Sequence, residues 1–194
     1  MKTINRIAFE GSDKSGKSKA LRYCRERFSN VAEFAEEAAT VLGGPKHDEA
    51  DAASMFAFQS RVLETQLQLE DEAIKRAQAS GKHLVICDRG VPGASAFHPE
   101  GLPGFMRDYR LDEQTILDRY HTVILLDSSA SKGIESDVDS NPARKLRTQE
   151  DIMRLHHKIE LAYAHHPRVI HIPYLDKFDD KWALIEPVLQ QFVE

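Results

Sequence analysis

The sequence predicts a doubly wound α/β fold, in which one parallel sheet carries helices on both faces. Three observations carry that expectation. Short, almost wholly apolar runs recur along the 194 residues, helical periodicities fill the gaps between them, and a glycine-rich loop stands at the first strand-to-helix junction. Runs this short and this apolar suit strands covered on both faces, and their regular alternation with helices implies right-handed crossovers between parallel neighbours.

The runs are Ile7-Ala8-Phe9, Val31-Ala32-Glu33-Phe34, Leu84-Val85-Ile86-Cys87, Val123-Ile124-Leu125-Leu126 and Val169-Ile170-His171-Ile172. A first crossover helix is expected over about residues 17–28. The longest helix, over about residues 51–80, places Phe56, Leu63, Leu67 and Ile74 near helical spacing and is ended by Gly81. A later helix opens at Thr148, where Asp151 three residues on serves as a variant capping box. Its stripe is Ile152, Leu155, Ile159 and Tyr163, and His165, His166 and Pro167 close it. The last helix, over about residues 180–193, presents Trp182, Ile185, Leu189 and Phe192 to the sheet. Residues 90–109, rich in Gly and Pro, and residues 128–146, rich in Ser, Asp and Lys, fit no regular element. Such loops at the carboxyl ends of strands are where α/β sheets bind ligands.

With 41% hydrophobic and 29% charged residues, the chain has the size and composition of one domain spanning 1–194. A formal charge of −5 argues against a protein that coats nucleic acid, because such binding needs clustered Lys and Arg. Local basic sites stay open, so a nucleic-acid partner is not favoured but is not removed. Cys24 and Cys87 are too few for a disulfide framework and read as buried thiols. No apolar stretch approaches the ~18 residues of a membrane span and no signal-peptide pattern is present, so a cytoplasmic protein with no membrane partner is expected. The pairs His156-His157 and His165-His166 do not form the H-E-x-x-H arrangement of a zinc site. No G-x-S-x-G elbow is present for serine hydrolase chemistry.

Gly11-Ser12-Asp13-Lys14-Ser15-Gly16-Lys17-Ser18 fits G-x-x-x-x-G-K-[ST] and lies after a strand and before a helix. Gly11 and Gly16 permit backbone angles that let successive N–H groups wrap phosphate oxygens at the positive end of the helix. Lys17 is placed to reach the β- and γ-phosphates of a nucleoside triphosphate, and the Ser18 hydroxyl to ligate Mg²⁺. Leu84 to Cys87 ends in Asp88-Arg89. If that strand lies beside the first, Asp88 emerges near the Mg²⁺ and Arg89 faces a phosphoryl group in transfer.

At these two places the sequence resembles thymidylate kinases and the wider group of nucleoside monophosphate and deoxynucleoside kinases. Phe9 to Ser18 is similar to their F-E-G-x-D-x-S-G-K-[ST] loop, and Gly81 to Arg89 to their G-x-x-V-I-x-D-R segment; Ala94-Ser95-Ala96-Phe97 and Gly101-Leu102-Pro103 resemble the S-x-A-Y and G-L-P that follow. The resemblance implies sheet order 2-3-1-4-5, ATP with Mg²⁺ as donor, and a lid over about residues 128–148. It implies that Asp13 accepts a hydrogen bond from the acceptor's sugar hydroxyl, that Lys14 aims at the γ-phosphate, and that Arg89 holds the acceptor's phosphate or the group in flight. In the lid, Arg144, Lys145 and Arg147 cluster, and guanidiniums at Arg144 and Arg147 would stabilise the in-line transition state. Phe56, Phe58 and Arg61 are the candidates for stacking on and hydrogen-bonding a base.

Two departures qualify the resemblance. Thymidylate kinases follow the second strand with R-E-P, whose arginine grips the acceptor phosphate; here the chain reads Phe34-Ala35-Glu36-Glu37-Ala38. Gly90 stands where they carry Tyr or Phe. Glutamates at this strand end look instead like the general base of deoxynucleoside kinases, which makes Glu36 or Glu37 a catalytic candidate. Glu37-Ala38-Ala39, Phe58-Gln59, Gln66 to Glu70 and Asp88-Arg89-Gly90 also resemble small AAA-type P-loop ATPases with kinase-like folds. The expectation is therefore a kinase of a nucleoside monophosphate or nucleoside, with a homodimer left open. The alternatives are a regulatory ATP- or GTP-binding switch, or a kinase of a hydroxyl in a polynucleotide, for example on a hydroxymethylated pyrimidine.

Overall fold

The computed structural model describes residues 3–43, 52–132 and 148–193. The strands β1 (Asn5–Glu10), β2 (Ala32–Ala35), β3 (Leu84–Asp88), β4 (Thr122–Leu126) and β5 (Val169–Ile172) pair in parallel as one sheet of order β2-β3-β1-β4-β5. The expected fold class and strand order are borne out. Successive strand residues point to opposite faces, and both faces are buried, which is why the runs are continuously apolar. Ile7, Phe9, Leu84, Ile86, Ile124 and Leu126 face one side, where they pack on α1 (Lys17–Phe28) and α7 (Phe178–Gln190) through Leu21, Cys24, Phe28, Trp182, Ile185 and Leu189. Ala8, Val85, Cys87, Val123 and Leu125 face the other side. There they meet α3 (Ala52–Ser80) and α6 (Gln149–Ala162) through Ala73, Ala77, Leu155, Ile159 and Ala162, with Tyr163 just beyond. The two cysteines lie in opposite layers as buried free thiols, and burial pushes Cys24 up to about 12.

The long helix and the capping box are where the sequence places them. Gly81, at φ 69°, terminates α3, and the Thr148 hydroxyl accepts from Asp151 N at 3.1 Å while the Asp151 carboxylate accepts from Thr148 N at 3.2 Å. The last helix starts earlier than expected, at Phe178. Residues 90–109 are more regular than their Gly and Pro content suggests. They form a 3-10 turn (Val91–Phe97) and α4 (Gly101–Asp108), because Pro103 sits in the first helical turn, where its missing N–H costs nothing, and Phe105 and Met106 are buried. Phe56 does not join the core stripe: it is 47% exposed and its ring stacks on Tyr109, 5.2 Å between centroids. Two short helices, α2 (Ala38–Leu42) and α5 (Glu113–Leu117), had no clear periodic signal. Among the described residues no helix is long and apolar enough to cross a membrane.

This topology gathers the functional candidates. β1 lies between β3 and β4, with Phe9 opposite Asp88 and Glu10 opposite Leu125. The loops leaving β1, β2, β3 and β4 therefore converge at the carboxyl edge of the sheet, beside the crevice that such sheets use for ligands.

Candidate functional site

The loop of residues 11–18 leaves β1 through Gly11. A Cβ there would stand 2.6 Å from Ser15 Oγ and 2.8 Å from the Leu126 carbonyl, so no larger residue fits. Gly16, at φ 88°, takes the left-handed conformation that starts α1, and Lys14 takes it at φ 63° despite its side chain. Consecutive carbonyls of the loop are each held from outside the phosphate position or by the loop itself. Ser12 O accepts from Ser15 N (3.3 Å), Asp13 O from Ser128 Oγ (2.7 Å), Lys14 O from Ser129 N (3.4 Å), Ser15 O from Lys181 Nζ (2.9 Å) and Gly16 O from Ala20 N (3.0 Å). With the carbonyls occupied, the loop is a nest of N–H groups at the positive end of α1, which is the geometry of an anion site. The Ser12 and Ser15 hydroxyls are buried there without a hydrogen-bond partner. Orphaned donors beside a cationic nest fit a phosphate group.

At the end of β3, Asp88 Oδ1 accepts from Lys17 Nζ across the sheet edge. Lys17 is 8% exposed, and Ser18, the next residue, is exposed on the first turn of α1. Arg89 follows at φ 70°, and its loop is tied down at every peptide: Arg89 N donates to Phe9 O (3.1 Å), Gln66 Nε2 to Arg89 O (3.3 Å), Gly90 N to Glu10 Oε1 (2.8 Å) and Val91 N to Tyr120 Oη (2.7 Å). The Arg89 side chain donates from Nε to Glu37 at 2.6 Å and from Nη1 to Glu10 at 3.3 Å. Burial works against its charge, but Glu37 and Glu10 outweigh burial and raise its pKa. For Glu37, burial pushes the carboxyl up, yet Arg89 and then Lys17 overcome it and hold it at about 2. Glu10 is fully buried, and burial raises its carboxyl against the opposing effects of Arg89, the Gly90 N–H, the Tyr163 hydroxyl (2.7 Å) and Lys17.

Beside this pair opens a cleft lined by Glu37, Phe58, Gln66, Arg89, Gly90 and Phe97 among others. Gly90 is there without a side chain for a physical reason: a Cβ would lie 2.5 Å from Tyr163 Oη and 2.9 Å from Tyr120 Cζ. The aromatic residue of the resembled kinases has no room because two tyrosines already fill the space. The structure separates the two candidate glutamates. Glu37 lines the cleft against Arg89, whereas Glu36 is exposed and pairs with Arg25 at 2.5 Å. Phe58 lines the cleft; Arg61 is exposed on a neighbouring outer pocket with Leu42, Gly43 and Ser54. Asp13 and Lys14 lie in the loop as expected. Arg144, Lys145 and Arg147 lie outside the described residues, as does most of the expected lid.

Some residues carry more of this site than the sequence indicated. Glu10 is a motif letter with no role in the sequence; the clue is a carboxylate directly after the apolar run Ile7-Ala8-Phe9. Lys181 sits on the buried stripe of α7, one residue before Trp182 and four before Ile185, a position where a lysine is out of pattern. Tyr163 reads in the sequence only as part of a core stripe, and Tyr120 and Ser128 carry no motif, since each acts from an element remote in sequence.

A nest of N–H groups after the first strand, a lysine at its end and an acid at the tip of the adjacent strand define a P-loop nucleotide-binding protein. A family model described as AAA domain matches residues 6–176. That span is most of the chain, and the chain belongs to this family of the P-loop NTPase class. Among curated proteins, none matches the chain.

Proposed function

We propose that this protein is an ATP-dependent phosphotransferase whose acceptor is the hydroxyl of a nucleoside-type small molecule. The observation that carries this reading is the Arg89–Glu37 pair, set at the head of the cleft and next to the phosphate loop. Among the described residues lining that cleft, Arg89 is the only cation, and Glu10 and Glu37 already neutralise it. A monophosphate acceptor would bring further negative charge to a cleft whose lining cation among the described residues is already paired with two carboxylates. An alcohol needs what the site offers, a carboxylate to receive its hydrogen bond.

In this reading the N–H groups of residues 11–18 and Lys17 would hold the triphosphate, and Ser18 and Asp88 would hold Mg²⁺. The Lys17–Asp88 pair must then open, Lys17 exchanging a carboxylate for phosphate and Asp88 an ammonium for a cation. The metal would neutralise charge on the phosphates. A carboxylate held at about 2 is a weak base, so Glu37 aims the acceptor oxygen by accepting its hydrogen bond. It receives the proton only as the new P–O bond forms and the bond from the γ-phosphorus to the β–γ bridging oxygen breaks with ADP as the leaving group, which suits a loose transition state. Arg89 keeps Glu37 charged and offers its remaining N–H groups to the transferring oxygens. Asp13, Lys14, Phe58, Arg61, Arg144 and Arg147 keep the roles the resemblance implies for them, and Glu36 is the weaker of the two glutamate candidates.

The test is an ADP-release screen over nucleosides, nucleoside monophosphates and short oligonucleotides, with product mass measured. The expected result is ADP formation that depends on a free nucleoside and a product heavier by one phosphoryl group. Release with monophosphates alone would sink the hydroxyl acceptor. The family match favours one second reading, a nucleotide-driven switch; it predicts slow hydrolysis that no small acceptor stimulates.

A further inference from the structure

The phosphate loop is shaped from outside its own motif. Each peptide unit couples the carbonyl of one residue rigidly to the N–H of the next, so whatever grips the carbonyl aims the N–H on the far side of the plane. Ser128 Oγ grips Asp13 O at 2.7 Å and so sets the Lys14 N–H. Ser129 N donates to Lys14 O at 3.4 Å. The Lys181 ammonium grips Ser15 O at 2.9 Å and so sets the Gly16 N–H, with its second bond to Asp127 O, also 2.9 Å, fixing it to the end of β4. Lys181 is 3% exposed and Ser128 1%.

The burial of Lys181 needs a reason. A buried lysine is expensive unless its charge is used, and a methionine on the α7 stripe would pack against the sheet without that cost. Docking of α7 alone does not explain it, since Trp182, Ile185 and Leu189 already bury that face. What the ammonium adds is a charge-assisted bond to one particular loop carbonyl and a positive charge behind the anion nest.

The geometry points to Lys181 as a positioning residue for the nucleotide phosphates, acting with Ser128 to hold the Lys14 and Gly16 N–H groups toward the phosphates that ADP and ATP share. It rests on the phosphate-site reading above and goes beyond it, because neither residue belongs to the loop motif or touches the acceptor cleft.

The test measures equilibrium binding of Mg·ADP and Mg·ATP to the full chain and to Lys181→Met, Ser128→Ala and Ile185→Val, with melting temperatures in parallel. Lys181→Met should weaken both nucleotides alike, by about tenfold or more, as expected for a lost charge-assisted hydrogen bond. Ser128→Ala should weaken both by a smaller factor. Ile185→Val trims the same helix at a fully buried core position and should lower the melting temperature with nucleotide affinity unchanged. If Lys181→Met and Ser128→Ala bind both nucleotides as the unaltered protein does, the positioning role is overturned; should Lys181→Met not fold, unchanged affinity in Ser128→Ala overturns it alone. An unaltered protein that retains neither nucleotide is a different result, and it removes the phosphate site itself.

Discussion

At the scale of single residues, Asp88 and Glu37 carry opposite kinds of risk for the reading. Asp88→Asn keeps a group that can hydrogen-bond Lys17 but removes the charge a divalent cation needs. Turnover should fall by about two orders of magnitude or more while ATP still binds, as seen by equilibrium binding beside an ADP-release assay; a fully active variant would clear Asp88 of any metal role. Glu37→Gln should abolish transfer to a hydroxyl, and it has a pH signature. The Glu37 carboxyl is held at about 2 against an ordinary 4.5, so its charged form is favoured in the fold. Its contribution to stability is complete above the unfolded value and is lost as pH falls toward the folded one. The stability gap between the protein and Glu37→Gln should therefore shrink between about pH 5 and pH 3, measured from denaturant midpoints. Glu10 works in the opposite sense, since burial raises its pKa, but it is present in both proteins and largely cancels in the difference. A gap that does not change with pH would contradict a charged Glu37–Arg89 pair. The eight-residue loop and the Asp88-Arg89 tip were legible as letters because their spacing is local. The choice of Glu37 over Glu36 was not, because alternation along the chain end does not say which of two adjacent side chains meets Arg89 from the next strand.

At the scale of elements, the strands and long helices were readable because their periodicities report burial directly. The segment after β3 was misread because its glycines look like loop punctuation. In the fold, Gly90, Gly93 and Gly104 mark close approach instead. A Cβ on Gly93 would overlap the Glu10 carboxylate, and one on Gly104 would come within 2.6 Å of both the Glu100 side chain and His98. The 3-10 turn of residues 91–97 thus lies directly against the residue that orients Arg89. Gly93→Ala should destabilise the protein by about 1–3 kcal/mol, the range for overpacking a filled interior. Because the clash falls on Glu10, it should also raise the acceptor KM more than the ATP KM. Denaturant titration and steady-state kinetics separate the two effects. By contrast, a Cβ on Gly81 meets nothing within 4 Å, so Gly81→Ala carries only the strain of φ 69°, about 1 kcal/mol, with kinetics unchanged.

At the scale of the whole molecule, the phosphate loop is the point where separate layers meet. β1 delivers it, α1 leaves it, Ser128 and Ser129 after β4 hold its carbonyls, and Lys181 reaches it from α7, while Lys17 is paired to the tip of β3. A ligand held at such a junction binds the folded chain and not the unfolded one, so nucleotide binding should register as global stability. A ligand at 100 times its Kd adds about 2.7 kcal/mol to the folded state. For a chain of this size each kcal/mol corresponds to roughly 2–4 °C, which predicts a rise in melting temperature of about 5–11 °C with saturating Mg·ATP. The net charge of −5 makes long-range attraction of a triphosphate unfavourable, so this stabilisation must come from the local nest and Lys17. Lys17→Ala removes the nest's lysine and frees Asp88 to repel phosphate, and the shift should then vanish. A variant that still gained the full shift would place the nucleotide somewhere other than the loop of residues 11–18.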